Sequence, residues 1–143
     1  MDGNVELLNY IHQNSEMGIG TIEHLIEINT NEQFEKTLQS QYNEYKKINE
    51  ITNEKLKERN KEPKDLSSYS QISSYIMINW KTLTDRSPSH ISEMLIQGST
   101  MGIIDITKKL KEYPGAEKEI LDLANKLLVF EQRNIEECKK YLH

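Results

Sequence analysis

The sequence contains few of the residues that break helices or cross-link a chain. Its 143 residues include six glycines, three prolines and a single cysteine, Cys138. A lone cysteine excludes a disulfide framework within the chain and is typical of a protein kept in a reducing compartment. Scarce glycine and proline argue against a sheet protein that needs many tight turns. The composition therefore favours long helices, and we expect a cytoplasmic protein.

The chain also lacks long hydrophobic runs and an excess of positive charge. Hydrophobic residues make up 36% of the sequence, and no run approaches the ~18 apolar residues of a membrane span. Residues 1–4 show neither the basic nor the apolar region of a signal peptide. With 18 basic and 23 acidic residues the net charge is −5, so a nucleic-acid surface would need a basic patch against the overall sign. We expect no membrane span and no nucleic-acid partner.

Four segments carry inward-facing residues at alternating spacings of three and four, which is the pattern of one buried helical face. They cover roughly residues 4–29, 31–62, 88–113 and 116–143. In the second segment the inward residues are Phe34, Leu38, Gln41, Tyr45, Ile48, Thr52 and Leu56, and in the fourth they are Ile120, Ala124, Leu127, Glu131, Asn134, Cys138 and Tyr141. Short links at 29–31 and 113–115 predict two antiparallel hairpins. The sequence therefore predicts an all-α four-helix bundle, formed by residues 1–143 as a single domain.

Several helix starts can be predicted from capping residues. Thr30 followed by Gln33 predicts a capping box in front of the second helix. Ser87 followed by Pro88 fits the N-cap and first position of the third helix. Between them, residues 66–83 form a shorter amphipathic segment, which predicts a short extra helix in the crossover, packed over one end of the bundle.

The two halves of the chain share a short repeat. Residues 15–22 align with residues 99–106, with Ser, Met, Gly and two Ile in register, so Gly18 lies over Gly102. Glycine in the middle of a helix costs ~1 kcal/mol relative to alanine. We expect the close approach of a neighbouring helix within the bundle to offset this cost, or else the approach of a partner helix.

Polar residues interrupt the inward lines near the middle of the second and fourth helices. Gln41 and Glu44 lie three residues apart on one, and Glu131 and Asn134 lie three apart on the other. Burying such groups without partners costs several kcal/mol, so they call for a hydrogen-bond network or a cation. Side chains three apart converge on one point, which is how carboxylate-bridged di-metal bundles hold their ions.

The chain resembles the ferritin-like superfamily, and more narrowly a bacterial family of small ferritin-like four-helix-bundle proteins of uncharacterised function. The resemblance extends over residues 7–142 and depends on the order and spacing of EMG at 16–18, NWKTL at 79–83, EMLIQG at 93–98 and EQRNIEECKKYL at 131–142. It implies a ferritin-like bundle of two antiparallel hairpins joined by a crossover.

The resemblance also implies a metal centre, with ligand positions occupied by Glu16, Gln41, Glu44, Glu131 and Asn134. Histidine is missing from this set, and Ser99 and Thr100 stand where the family tends to have acids. Iron and manganese oxidation chemistry favours imidazole beside carboxylates. The substitutions therefore predict a degenerate, metal-free polar centre with no catalytic residue and no cofactor. A divalent iron or manganese site in a ferritin-like oxidoreductase or storage-related protein is the alternative.

We therefore expect a non-catalytic structural or interaction protein, present as a homodimer or bound to another protein. A second alternative is a helical adaptor that binds its partner through the helix at 69–83. Tyr69, Ile76 and Trp80 would form that interface, since large aromatic side chains are common anchors of interfaces. Neither a His-x-x-x-His nor a Cys-x-x-Cys spacing occurs, so the common zinc motifs are absent.

Overall fold

The computed structural model describes residues 2–65 and 83–143, and every regular element in those two ranges is an α-helix. The helices are α1 (Asn4–Ile28), α2 (Glu32–Glu58), α3 (Pro88–Glu112) and α4 (Lys118–Lys139). They contain between 22 and 27 residues, which corresponds to about 33–40 Å at 1.5 Å per residue. Within these two ranges, the prediction of an all-α fold with these four helices is confirmed. None of the described helices is both long and apolar enough to cross a membrane.

The helices pack as two antiparallel hairpins that face each other. α1 lies along α2 and α3 lies along α4, while α1 also contacts α3 and α4, and α2 contacts α4. Tyr10 Oη, near the start of α1, donates to the carbonyl of Gly102 in the second half of α3 at 3.4 Å. Lys55, near the end of α2, pairs with Glu119 at the start of α4 at 3.1 Å. These contacts make α1 antiparallel to α3 and α2 antiparallel to α4.

The connection between the hairpins joins opposite ends of the bundle. The end of α2 lies beside the start of α4. The start of α3 lies at the other end of α4, where Ser89 Oγ accepts from the backbone N–H of His143 at 3.1 Å. The connection begins by folding back onto α1: Asn9 Oδ1 accepts from the backbone N–H of Lys64 at 3.2 Å, and Gln13 Nε2 donates to the carbonyl of Asp65 at 2.9 Å. The predicted short helix over 66–83, with Tyr69, Ile76 and Trp80, lies outside the described residues apart from its last residue.

The core lies along the predicted inward lines. Every inward position predicted for α2 is buried, and so are those of α4 from Ile120 to Cys138. The line on α1, composed of Leu8, Ile11, Ser15, Gly18, Ile22 and Leu25, is buried as well. α3 is less covered, because Leu95, Gly98 and Leu110 are only half-buried. The spacing pattern therefore identified the core correctly, and α3 is its most exposed wall.

The start of α2 differs from the prediction by one residue. Its N-cap is Asn31, whose Oδ1 accepts from the backbone N–H of Phe34 at 2.9 Å, so the predicted capping box of Thr30 and Gln33 is wrong. The physical reason is the preceding turn. Asn29 Nδ2 donates to the carbonyl of Asn31 and Asn29 Oδ1 accepts from its N–H, at 2.7 and 3.2 Å, which fixes Asn31 in the extended conformation of a cap.

The start of α3 agrees with the prediction. Ser87 Oγ accepts from the backbone N–H of His90 at 3.3 Å, and Pro88 occupies the first turn. Proline costs nothing there because its missing N–H would have had no partner inside the helix.

Candidate functional site

A cluster of four polar side chains, one from each helix, occupies the middle of the bundle. This mid-bundle cluster consists of Asn14 of α1, Tyr45 of α2, Ser99 of α3 and Glu131 of α4, and all four are buried. Tyr45 Oη donates to Glu131 Oε1 at 3.1 Å and the Ser99 hydroxyl also hydrogen-bonds the Glu131 side chain. The cluster therefore links α4 to α2 and to α3 through one carboxyl group.

The two repeated glycines make room for this cluster. A Cβ atom on Gly102 would stand 3.3 Å from both Asn14 Nδ2 and Glu131 Cδ, and one on Gly18 would stand 2.6 Å from the Tyr45 ring. Each glycine thus admits one member of the Tyr45–Glu131 hydrogen bond. The prediction that these glycines serve packing inside the bundle is confirmed, and the groups that approach them are side chains of neighbouring helices.

The carboxyl of Glu131 is held away from water. Its residue is 2% exposed, and burial raises the pKa of Glu131 from 4.5 to about 7, against the hydrogen bonds from Ser99 and Tyr45, which lower it. Burial dominates because an ionised carboxylate loses most of its hydration energy in the interior, and two hydroxyl donors replace only part of it. Among residues 2–65 and 83–143, Oε2 has no hydrogen-bond partner of standard geometry. Below pH 7 the group is mainly a neutral acid.

The five predicted metal-ligand positions fall in different places. Gln41, Glu44 and Asn134 line a cavity of about 210 Å³ between α2 and α4, which we call the α2–α4 cavity. Glu131 is not among its lining residues and belongs to the mid-bundle cluster. Glu16 is half-buried and forms no hydrogen bond or ion pair within the described ranges.

The donor set does not fit an iron or manganese pair. In the part of the chain that the structure describes, no three Asp, Glu, His or Cys side chains come close enough together to hold a metal ion. The carboxyl of Glu131 faces the hydroxyls of Tyr45 and Ser99 where a di-metal centre would place further carboxylates and imidazoles. Hydroxyl and amide groups do not neutralise two divalent cations, so we derive no metal chemistry from this centre.

A second buried network between α1 and α2 was not predicted. Asn49 Nδ2 lies 3.2 Å from His12 Nδ1 and 2.9 Å from Ser15 Oγ, and Ser15 Oγ donates to the carbonyl of His12 at 2.9 Å. Asn53 Nδ2 donates to Asn49 Oδ1 at 3.1 Å. The only signal in the sequence is the spacing, since 12 with 15 and 49 with 53 lie on single helical faces. This network joins α1 to α2.

Cys138 behaves as a packing residue. Its side chain is 1% exposed, and burial raises the pKa of its thiol, with smaller lowering contributions from Gln41 and Ser92. A buried thiol with a raised pKa has little thiolate and reacts slowly with oxidants. The interpretation of Cys138 as a core residue agrees with this position.

Comparisons of the chain with protein-family profiles, with curated proteins and with solved structures give no match.

Proposed function

We propose that the chain is a ferritin-like bundle protein without catalytic activity, in which a buried glutamic acid that keeps its proton below about pH 7 occupies the centre that metal ions occupy in the enzymes of that superfamily. The single observation that carries the proposal is the environment of Glu131: a buried carboxyl bonded by Tyr45 and Ser99, whose pKa burial raises to about 7. The antiparallel order of the helices and the connection between opposite ends of the bundle favour a ferritin-like topology, which has one long crossover.

Charge balance explains why this centre is suited to a structural role. A carboxylate ligand is ionised when it binds a metal, and the positive charge of the ion compensates the cost of burial. Glu131 instead meets neutral hydroxyls, so the interior stays uncharged only if the carboxyl keeps its proton. A neutral acid needs no counter-ion and acts as a hydrogen-bonding group between helices. The working surfaces of such a protein are then its outer faces, where it would meet a second copy or another protein.

The proposal is tested by metal content and by metal-dependent stability. Protein purified without chelator is analysed for metal and then melted with added Fe(II) or Mn(II). We expect substoichiometric metal and an unchanged Tm. A metal bound to the native state would raise its stability by RT ln(1 + [L]/Kd), about 2.7 kcal/mol at a hundred times Kd, so an unchanged Tm means that no such metal binds.

Two variants make this test specific. Glu131→Gln removes the buried carboxyl, and Glu136→Gln removes a carboxyl at an exposed position of α4. One or two metal ions per chain, together with a rise in Tm that is lost only in Glu131→Gln, would overturn the proposal and favour the metal-binding alternative. Light scattering on the same preparation tests the expected homodimer.

A further inference from the structure

The hairpin of α3 and α4 has an outer face, formed by the side of each helix that is turned away from α1 and α2. α3 meets α1 at Gly102, whose carbonyl accepts from Tyr10, and α4 meets α2 at Phe130, whose ring packs on the tyrosine of the mid-bundle cluster. Two residues along a helix correspond to about 200° of rotation, so Thr100 and Gln132 point to the opposite side of their helices. Both are exposed, and they mark what we call the outer α3–α4 face.

An aliphatic stripe runs along the outer α3–α4 face, where the two helices meet. It consists of three residues seven apart on each helix, Ile96, Ile103 and Leu110 on α3 and Leu121, Leu128 and Ile135 on α4. All six are half-buried. Because Ser99 lies opposite Glu131 in this antiparallel pair, Ile103 stands at the level of Leu128. The stripe is therefore continuous across both helices and open to solvent on one side.

Two large hydrophobic side chains stand exposed beside the middle of this stripe. Ile104 is 47% exposed and Val129 is 52% exposed. The outer side of the first hairpin is polar instead, since Tyr42 Oη donates to Glu23 at 3.3 Å and Lys46 Nζ lies 5.7 Å from the centre of the Tyr42 ring. In a chain of which 29% is charged, this apolar surface is the kind that marks an interaction site.

Charges of opposite sign stand at the two ends of the outer α3–α4 face. Glu93 precedes the stripe on α3 and Lys111 follows it, whereas Lys118 precedes the stripe on α4 and Glu136 follows it. All four are exposed, and the last two also pair with neighbours on their own helix, at 2.9 and 3.3 Å. Because α3 and α4 are antiparallel, the two glutamates lie at one end of the face and the two lysines at the other. The face is therefore complementary in charge to an inverted copy of itself.

The size of the face is sufficient for a dimer. Residues 93–111 of α3 extend about 27 Å, and two packed helices are about 20 Å across. Covering this area on two copies removes on the order of 1,100 Å² from water, above the ≈1,000 Å² that a biological interface needs. A twofold axis brings one patch against itself, so an uncharged middle avoids the repulsion that a charged one would meet.

We propose that a second copy of the chain docks on the outer α3–α4 face, across a twofold axis at right angles to the helices at the level of Ile103 and Leu128. Each helix then lies antiparallel to its own copy, and the two stripes form the core of a four-helix layer. Glu93 of one copy lies beside Lys111 of the other, and the two Val129 side chains meet near the axis. The inference rests on the proposed role of the outer faces and does not depend on the proton of Glu131.

The oligomeric state is measured by sedimentation equilibrium of the full chain, from micromolar to near-millimolar concentration. We expect a reversible equilibrium between monomer and dimer, and a chain that stays monomeric throughout would overturn the inference. Metal content is measured on the same sample. A metal-free monomer would overturn this inference alone, whereas a metal-loaded dimer would overturn only the proposed function.

A charge placed near the axis locates the interface. Val129→Asp brings two carboxylates together in the dimer and should raise its Kd at least about tenfold. Gln39→Asp is the control, because it adds the same charge at an exposed position of α2, and it should leave the Kd unchanged. An unchanged Kd in Val129→Asp, or an equal rise in the control, would contradict docking on this face.

Exchange of the end charges tests the orientation of the two copies. Glu93→Lys and Lys111→Glu each replace an attraction by a repulsion at two symmetry-related contacts, so each should raise the Kd about threefold or more. The double variant should recover most of the lost affinity. Positions 93 and 111 lie about 27 Å apart on one helix, so recovery requires contact between two copies. Single variants without effect, or a double variant that does not recover, would contradict the antiparallel arrangement.

Discussion

Replacement of the buried acid by its neutral isostere, Glu131→Gln, should change how stability depends on pH. In the folded chain the pKa of Glu131 is raised from 4.5 to about 7, so between these values the folded state holds a proton that the unfolded state has lost. Stability then falls as pH rises. The contribution is complete below about pH 4.5 and is lost through about pH 7. At 1.36 kcal/mol per unit, the difference corresponds to about 3 kcal/mol.

Urea unfolding in the presence of a chelator, at about pH 5 and about pH 8, measures this effect through the linear dependence of ΔG on urea. The glutamine Oε1 can still accept from Tyr45, so the variant should match the wild type near the lower pH. Near the higher pH it should be more stable by about 3 kcal/mol, the ionisation cost that it avoids.

Glu136→Gln is the matched control, because it makes the same Glu-to-Gln change at an exposed position on the same helix. It should keep the pH dependence of the wild type. If wild type and Glu131→Gln instead lose stability in parallel between the two pH values, Glu131 is not a protonated acid in the folded chain.

Four further substitutions test the packing of the mid-bundle cluster and a contact at the end of the hairpins. Gly18→Ala should destabilise the fold by about 1–3 kcal/mol in urea unfolding, because its Cβ would stand 2.6 Å from the Tyr45 ring. Gly20→Ala should stabilise the fold by about 0.5–1 kcal/mol, because a Cβ there would have no atom within 4 Å. A change of the same sign in both variants would contradict the packing described. Tyr45→Phe removes a hydrogen bond that lowers the pKa of the Glu131 carboxyl. NMR titration should therefore show a higher pKa of Glu131 in this variant. A lower pKa would contradict the hydrogen bond from Tyr45. Asn4 Oδ1 accepts from the backbone N–H of Glu117, just before α4, at 2.8 Å. Asn4→Ala removes this acceptor and should lower the free energy of unfolding by about 1 kcal/mol. An unchanged Tm would show that this contact does not stabilise the fold.

Much of the fold could be predicted from the spacing of apolar residues, since burial of one helical face is a local property of each segment. The start of α2 could not be fixed to the residue, because Thr30 and Asn31 are both good caps and the choice depends on the hydrogen bonds of Asn29. Packing between hairpins decides which side chains meet. The contact of Ser99 with Glu131 therefore could not be obtained from either helix alone.

The candidate ligand residues were predicted to form one centre, but in the structure they lie in separate places. Glu131 and Asn134 are three residues apart, which places them about 60° apart around the helix. That angle is small enough for both to be buried and large enough for them to face different neighbours. Glu131 meets Tyr45 and Ser99, whereas Asn134 lines the cavity with Gln41 and Glu44.

The protonation state of Glu131 can be measured directly by ¹³C NMR titration of its side-chain carboxyl in the folded, chelator-treated chain. If the centre is closed by a neutral acid, the resonance titrates with an apparent pKa of about 7, and Glu131→Gln identifies it by its loss. A carboxyl that titrates at or below the ordinary value of 4.5 would already be ionised inside the bundle well below pH 7, and that result would contradict a metal-independent centre built around a protonated acid.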